Sequence, residues 1–436
     1  MRPSAFLLTL AIGLLLLTCF VAIFSDNGEA LVWAMWGILA FAAIADLMVT
    51  RTGRSVEVAF DPPEKAFVGA DIPLNIKLVS MKANLPSGLD MRFEHDTELA
   101  MGDFFWPDLK GMAEVDIPIT LTATKRGAFT FKQVWLYWPS RLGLFEIVSR
   151  KPMNYDVNGV PNIQPVLSGE ITTQVQAELY GIKSTQMRGE GSEFHQLREF
   201  TTGMDPRMID WKRSARHGGL LARETHAEQN HQIIMCIDNG YLMREEIEGL
   251  PKIDRAINAA LATTWAAGLG GDQVGFFAFD SRPRQFIPPT PGRTAFNRFR
   301  FEAANLQYSS VETNHTLALA HLNGLLNRRS MIVVFSDFVD STTAELLVEN
   351  MAVLNRHHLL IFVAMRDPAL DRITHPEDPS LSQVAEAVSA SQIVRERQLV
   401  LDELQRLGIV CLDIAPDKLT PELVSTYLDI KAREMI

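Results

Sequence analysis

Two apolar runs end on an aspartate, QIIMCID at Asp238 and SMIVVFSD at Asp337. Unbroken runs of this length, rich in Ile, Val and Phe, read as strands buried on both faces of a sheet. Carboxylates at such strand ends are hard oxygen donors suited to a divalent cation. The competing reading is that each only terminates its strand. Other chemistries lack their residues. There is no GxxxxGK[ST] phosphate cradle and no GxSxG nucleophile elbow. GEGSEF, residues 189–194, has Phe where a dinucleotide loop needs its third glycine, and no strand leads into it. His226 with Glu228, and the His357–His358 pair, lack further ligands at zinc-site spacing. Cys19, Cys236 and Cys411 lie far apart in apolar runs and read as small buried hydrophobes.

The aspartates need a scaffold, and residues 231–436 supply the pattern of one. The runs QIIMCID, QVGFFAFD, SMIVVFSD, LLIFVAM and IVCLDI alternate with helical stretches such as KIDRAINAALATTWAAGLG and SQIVRERQLVLDELQRLG. That alternation predicts a doubly wound α/β domain with a parallel sheet, whose ligands bind outside the carboxyl ends of the strands. Residues 55–150 change character. SVEVAF, IPLNIKLVS, EVDIPITLTAT and AFTFKQVWLYW alternate apolar and polar positions between turns such as DPPEK, LPSG and KRGA. This predicts an all-β sandwich with a spacer or interaction role. Residues 151–230 read as a linker with one strand-like piece at NIQPVL, followed by a charged, Gly- and Arg-rich segment. There Phe194, Leu197, Phe200, Ile209 and Trp211 are interleaved with the charges, which predicts an ordered, ion-paired structure.

The chain of 436 residues is long enough for several cores. Its formal charge of -11 argues against a general nucleic-acid binder. Residues 1–54 form a separate unit: residues 5–24 and 30–49 are two mostly apolar runs joined by the acidic turn SDNGE. Each has bilayer-spanning length, so a transmembrane helical hairpin is predicted. Arg2 precedes the pair, and Arg51 and Arg54 follow it, which places both ends and everything after them in the cytoplasm. Asp46 falls near the end of the second run, where an interfacial position costs little.

The run GEGSEFHQLREFTTGMDPRMIDWKRSARHGGLLARETHAEQ resembles the signature of the bacterial family called domain of unknown function 58. Its shared elements are Gly189, Gly191, Glu193, Phe194, Leu197, Arg198, Gly203, Asp205, Arg207, Ile209, Asp210, Trp211, Ser214, Ala215, Arg216, Leu220, Arg223 and Glu224. The resemblance implies a membrane-anchored protein with a β-sandwich and a Rossmann-like von Willebrand A domain. It also implies a MoxR-type AAA+ ATPase as partner, at the bacterial inner membrane. The signature acids Glu193, Asp205, Asp210 and Glu224 stand among Arg198, Arg207, Arg213, Arg216 and Arg223. Guanidinium forks suit carboxylates, so these residues predict either a structural ion-pair network or a partner-docking site.

Domains of the von Willebrand A type often hold Mg²⁺ through DxSxS, a loop threonine and a later strand-end aspartate. The resemblance carries over in part: Asp238 takes the first position, but Gly240 and Leu242 replace the serines. Thr313 matches the loop threonine, with Thr316 as second choice, and Asp337 matches the last aspartate. A degenerate metal site at Asp238, Thr313 and Asp337 is therefore expected, with Mg²⁺ as a weak ligand. Three functions follow from these features. The first is a non-enzymatic, membrane-anchored scaffold that docks the ATPase or a client. The second is a metal-dependent hydrolase acting at Asp238 and Asp337, and the third is an envelope-assembly or stress factor.

Overall fold

A computed structural model describes the chain except for residues 25–28, 52–55, 81–83, 105, 107–108, 110, 178–192, 202–203, 227–230, 339–340, 375–380, 434 and 436. The chain divides into two compact units, Met1–Val160 and Pro161–Ile436.

In the first unit, helices Ala5–Phe24 and Glu29–Arg51 precede the strands. The Trp36 indole donates to the Thr18 hydroxyl at 3.1 Å, so the two helices lie side by side. Residues Ala30–Thr50 are long and apolar enough to cross a membrane, whereas Ala5–Val21 forms a shorter apolar stretch. Two sheets follow. Asp71–Ser80 and Glu114–Ala123 pair antiparallel in one, and Gly127–Pro139 and Phe145–Val160 in the other. Alternate residues Ile117, Ile119 and Leu121 point inward to meet Phe131, Val134 and Leu136 in a single core. Strand Phe145–Val160 corrects the boundary expected at residue 150. Its pairing with the preceding strand continues to Gly159, so the first ten residues expected as linker belong to the sheet. The piece NIQPVL is also not a strand: Gln164–Leu167 is a short helix with proline in its first turn, where the missing N–H has no partner to lose.

The second unit holds a six-stranded sheet. Its strands are β1 (Gln232–Asp238), β2 (Gln273–Phe279), β3 (Pro283–Pro291), β4 (Met331–Phe335), β5 (Leu359–Met365) and β6 (Val410–Ile414). Their spatial order is 3-2-1-4-5-6, the doubly wound order. Every pair is parallel except β2–β3. Strand β3 has no counterpart among the predicted runs because Pro283, Pro288, Pro289 and Pro291 disrupt its pattern. Proline cannot serve a ladder on both sides, so such a segment is tolerated only at an edge, where it lies. All of β4 and β5 is buried, as a sheet covered on both faces requires. Asp238 ends β1 and Asp337 follows β4, so both lie toward the carboxyl edge of neighbouring strands.

Candidate functional site

Asp238 is nearly inaccessible and is satisfied by neutral donors. Its Oδ1 accepts from the Gly240 amide at 2.8 Å and the Thr313 hydroxyl at 2.7 Å. Its Oδ2 accepts from the Ser336 hydroxyl at 2.5 Å. His315 Nε2 lies 2.9 Å from Ser336 Oγ and 3.4 Å from Asp238 Oδ2. Thr313 is thus the threonine that reaches the strand end. Thr316 turns to helix Ser341–Asn355, where it accepts from Asn350. Asn239 donates to the Gln307 carbonyl at 2.9 Å, and its buried Oδ1 meets no donor among the described residues.

Asp337 is held by cations. Lys252 Nζ, on the first residue of helix Lys252–Leu269, lies 2.7 Å from Oδ2. Arg397 of helix Leu381–Arg406 lies 2.6 Å from Oδ1. Lys252 also binds Glu245 at 2.6 Å, and Arg397 also binds Asp413 on β6 at 3.2 Å. Burial pushes the Asp337 carboxyl up, but the Arg397 and Lys252 charges outweigh it and hold the group below its ordinary value. Burial pulls the Lys252 ammonium down, yet Asp337 and Glu245 raise it overall. Arg397 follows the same pattern, with Asp337 and Asp413 as its partners. Lys252, Arg397, Glu245, Asp413, Ser336 and His315 were not among the residues singled out from sequence. Lys252 carried one signal, a charge opening a helix that has no charged residue after Arg255; Arg397 is hidden in the charged run RERQ.

These residues do not fit the Mg²⁺ site that the resemblance implies. A Cβ on Gly240 would stand 1.9 Å from Thr313 Oγ1 and 3.1 Å from Asp238 Oδ1, so the threonine hydroxyl occupies the space a serine would need. Both Asp337 oxygens are engaged by cations, and a divalent ion would have to displace them. No group of three or more His, Cys, Asp or Glu arranged to hold a metal occurs among the described residues. The expected set of Asp238, Thr313 and Asp337 is therefore brought partly together, by hydrogen bonding rather than as a ligand sphere. The Ser336–His315–Asp238 cluster does not form a nucleophilic relay either. The same imidazole nitrogen faces serine and aspartate, and the serine proton goes to the carboxylate; a relay needs the carboxylate on the other ring nitrogen.

The signature segment forms an antiparallel pair, Glu193–Glu199 with Leu221–His226, that brackets helix Trp211–His217. Asp210 caps this helix by accepting from the Arg213 amide at 3.0 Å, and it pairs with Arg223 at 3.3 Å. Asp205 caps the preceding turn through the Arg207 amide at 2.9 Å. Buried Ser214 accepts from the Leu221 amide at 2.8 Å and ties helix to strand. Asp205 and Asp210 therefore satisfy helix ends, and Asp210 with Arg223 supplies an ion pair of the expected network among the described residues. Arg198 lies on the first strand, opposite Ala222, while Arg207 and Arg216 are exposed. The indole of Trp211, expected to help order the segment, is 67% exposed. Gly189, Gly191 and Gly203 and the side chains of Glu193 and Glu224 lie outside the described residues.

Residues 196–397 match the family described as "Protein of unknown function DUF58". Those residues form a DUF58 region. The match begins in the signature hairpin and ends at Arg397, so the DUF58 region contains Asp238, Lys252, Thr313 and Asp337. The uncharacterised protein Rv1480 of Mycobacterium tuberculosis is 24% identical over 231 residues, covering 52% of this chain and 69% of that protein. Among solved structures, the chain is similar to the conserved hypothetical protein BatB from Bacteroides thetaiotaomicron (TM-score 0.32, 11% identity, 47% of this chain and 99% of that one). It is also similar to the SpRpn10 VWA domain (TM-score 0.28, 14% identity, 46% of this chain and 95% of that one).

Proposed function

We propose that this protein is a membrane-anchored docking protein whose von Willebrand A-like domain recognises a protein partner without a metal ion. The observation that carries this reading is the occupation of both strand-end carboxylates by the chain's own groups: hydroxyls on Asp238, and Lys252 with Arg397 on Asp337. An edge so neutralised offers neither an open coordination position nor a free base. Partner contact is assigned to the signature hairpin, where exposed Trp211 stands beside the exposed cations Lys212, Arg213 and Arg216. Tryptophan and arginine are the side chains that most often carry interface energy.

Two finer elements belong to the same proposal. The helices Ala5–Phe24 and Glu29–Arg51 form a spanning hairpin in the bacterial inner membrane, with Arg2 and Arg51 on the cytoplasmic side. The partner is a MoxR-type AAA+ ATPase, supported by the company that the family resemblance implies. The test is recovery of partners from detergent-solubilised membranes on the full chain, with and without ATP and Mg²⁺, beside Trp211→Ala. The proposal expects an AAA+ ATPase to be enriched and its recovery to fall about tenfold or more in the variant. Absence of any such ATPase under all conditions removes the partner; undiminished recovery on Trp211→Ala removes the docking face.

A further inference from the structure

The outer ends of the two N-terminal helices meet one turn of the β unit. The Ser4 amide donates to the Leu144 carbonyl at 2.9 Å, and the Ser4 hydroxyl donates to the Gly143 carbonyl at 2.6 Å. Arg2 and Pro3 pair as a short strand with Glu146 and Phe145. From the second helix, Asp46 Oδ1 accepts from the Leu142 amide at 3.0 Å, and Oδ2 accepts from the Ser140 hydroxyl at 2.5 Å. The turn itself closes by Gly143 donating to the Ser140 carbonyl at 3.1 Å, with Gly143 at φ 73°. Asp46 is only 1% exposed, because the turn covers it.

Depth follows from this contact. The apolar stretch Ala30–Thr50 continues four residues past Asp46, which at 1.5 Å per residue is about 6 Å along the helix. A backbone amide bonded to Asp46 is therefore level with the last turn of the span, not beyond it. The tip of the turn carries Leu142, 57% exposed, preceded by exposed Arg141. Arg2 pairs with Glu146 at 2.5 Å, and its guanidinium lies 5.6 Å from the Tyr137 ring centroid, so it fastens the neighbouring strand rather than adding a charge to the tip.

We propose that the Ser140–Gly143 turn is a lipid-contacting loop. Leu142 enters the boundary between headgroups and acyl chains, while Arg141 reaches back to lipid phosphates. This rests on the membrane-spanning reading above. An apolar tip beside an exposed arginine suits that boundary, where the long basic side chain keeps its charge in the headgroup layer. Asp46 acts as the peg that sets the depth, and its three acceptor contacts, with Ser140, Leu142 and Thr50, account for a carboxylate near the end of the span.

The test places an environment-sensitive NBD fluorophore on Leu142→Cys, and separately on Gly37→Cys, in the full chain carrying Cys19→Ala. Position 37 lies in the span, and a Cβ there has open space beside it. Of the remaining thiols, burial pushes Cys411 up to about 12 and Cys236 higher still, so neither competes for label at neutral pH. The protein is reconstituted in phosphatidylethanolamine–phosphatidylglycerol vesicles. Lipids carrying a shallow nitroxide should quench position 142, deep nitroxides should quench position 37, and aqueous iodide should quench neither. If position 37 is protected but position 142 is quenched by iodide and not by lipid, the loop proposal fails while the span stands. If iodide quenches position 37 as well, the spanning reading fails and takes the loop with it.

Discussion

Replacing Lys252 by Met tests whether the strand-end site is completed by protein cations. At 2.7 Å and an effective dielectric constant of about 20, the attraction between Lys252 and Asp337 is about 6 kcal/mol. Taking the two ions out of water costs several kcal/mol each, so the intact pair contributes little net stability. The single substitution is different, because it leaves buried Asp337 with Arg397 alone. Breaking one side of a buried pair costs about 3 kcal/mol or more. For a unit of this size that is a fall of about 6–12 °C in the melting midpoint of the α/β unit. The assay is scanning calorimetry of the full chain in detergent, with EDTA or with about 10 mM MgCl₂. A Mg²⁺ site with a Kd of about 0.1 mM would stabilise the wild type by about 2.7 kcal/mol at that concentration. The expected result is a wild-type midpoint independent of Mg²⁺ and a lowered Lys252→Met midpoint that Mg²⁺ does not restore. A wild-type midpoint that rises several degrees with Mg²⁺, or a Lys252→Met midpoint within a degree of wild type, refutes the reasoning.

Gly240→Ser, which restores the first hydroxyl of DxSxS, should destabilise the α/β unit by about 1–3 kcal/mol, because its Cβ meets Thr313 Oγ1 at 1.9 Å. Thr313→Ala in the same chain should recover most of that loss, and denaturant unfolding of wild type and the three variants of this cycle measures the coupling. The pH dependence is set by opposite shifts on the two ends of the buried pair. Asp337 is depressed, so its contribution is present above an unfolded value of about 3.9 and is lost as pH falls through its lower folded value. Lys252 is raised, so its contribution is present below about 10.4 and is lost only as pH rises through its higher folded value. Thermal midpoints measured from pH 3 upward should therefore fall less steeply on the acid side for Asp337→Asn than for wild type.

The α/β sheet was legible because burial on both faces leaves a strong mark: QIIMCID, SMIVVFSD and LLIFVAM each match a wholly or almost wholly buried strand. The proline-rich edge strand β3 left no such mark, since an edge needs only one satisfied side. In the β unit, Glu114–Ala123 was visible from its period of two, whereas Phe145–Val160 was missed because its outward positions are long, mixed and largely exposed. Asp238, Thr313 and Asp337 were found because each sits at a strand end or loop that the fold places predictably. What was not legible is which groups answer their charge. Lys252 and Arg397 reach Asp337 from helices 85 and 60 residues away in sequence, and nothing local distinguishes them from solvated cations.

Under the proposed docking role, occupation by the chain's own groups has a consequence for how recognition at this domain would be controlled. A metal-bound edge can be emptied or filled, so its affinity for a partner follows the supply of the ion. Lys252 and Arg397 are covalently fixed, raised in pKa and buried against Asp337, so their charge is constant across the physiological range. Such an edge is a permanently neutralised part of the core. Any switching must then come from elements that the core does not lock. The signature hairpin fits that requirement: its helix is seven residues long, capped by Asp210 and fastened by Ser214, with Trp211 turned outward. Partner contact there would be insensitive to divalent ions except through the nucleotide of the partner itself. Chelation in the absence of nucleotide should therefore leave binding to Trp211 intact, whereas loss of the indole should not.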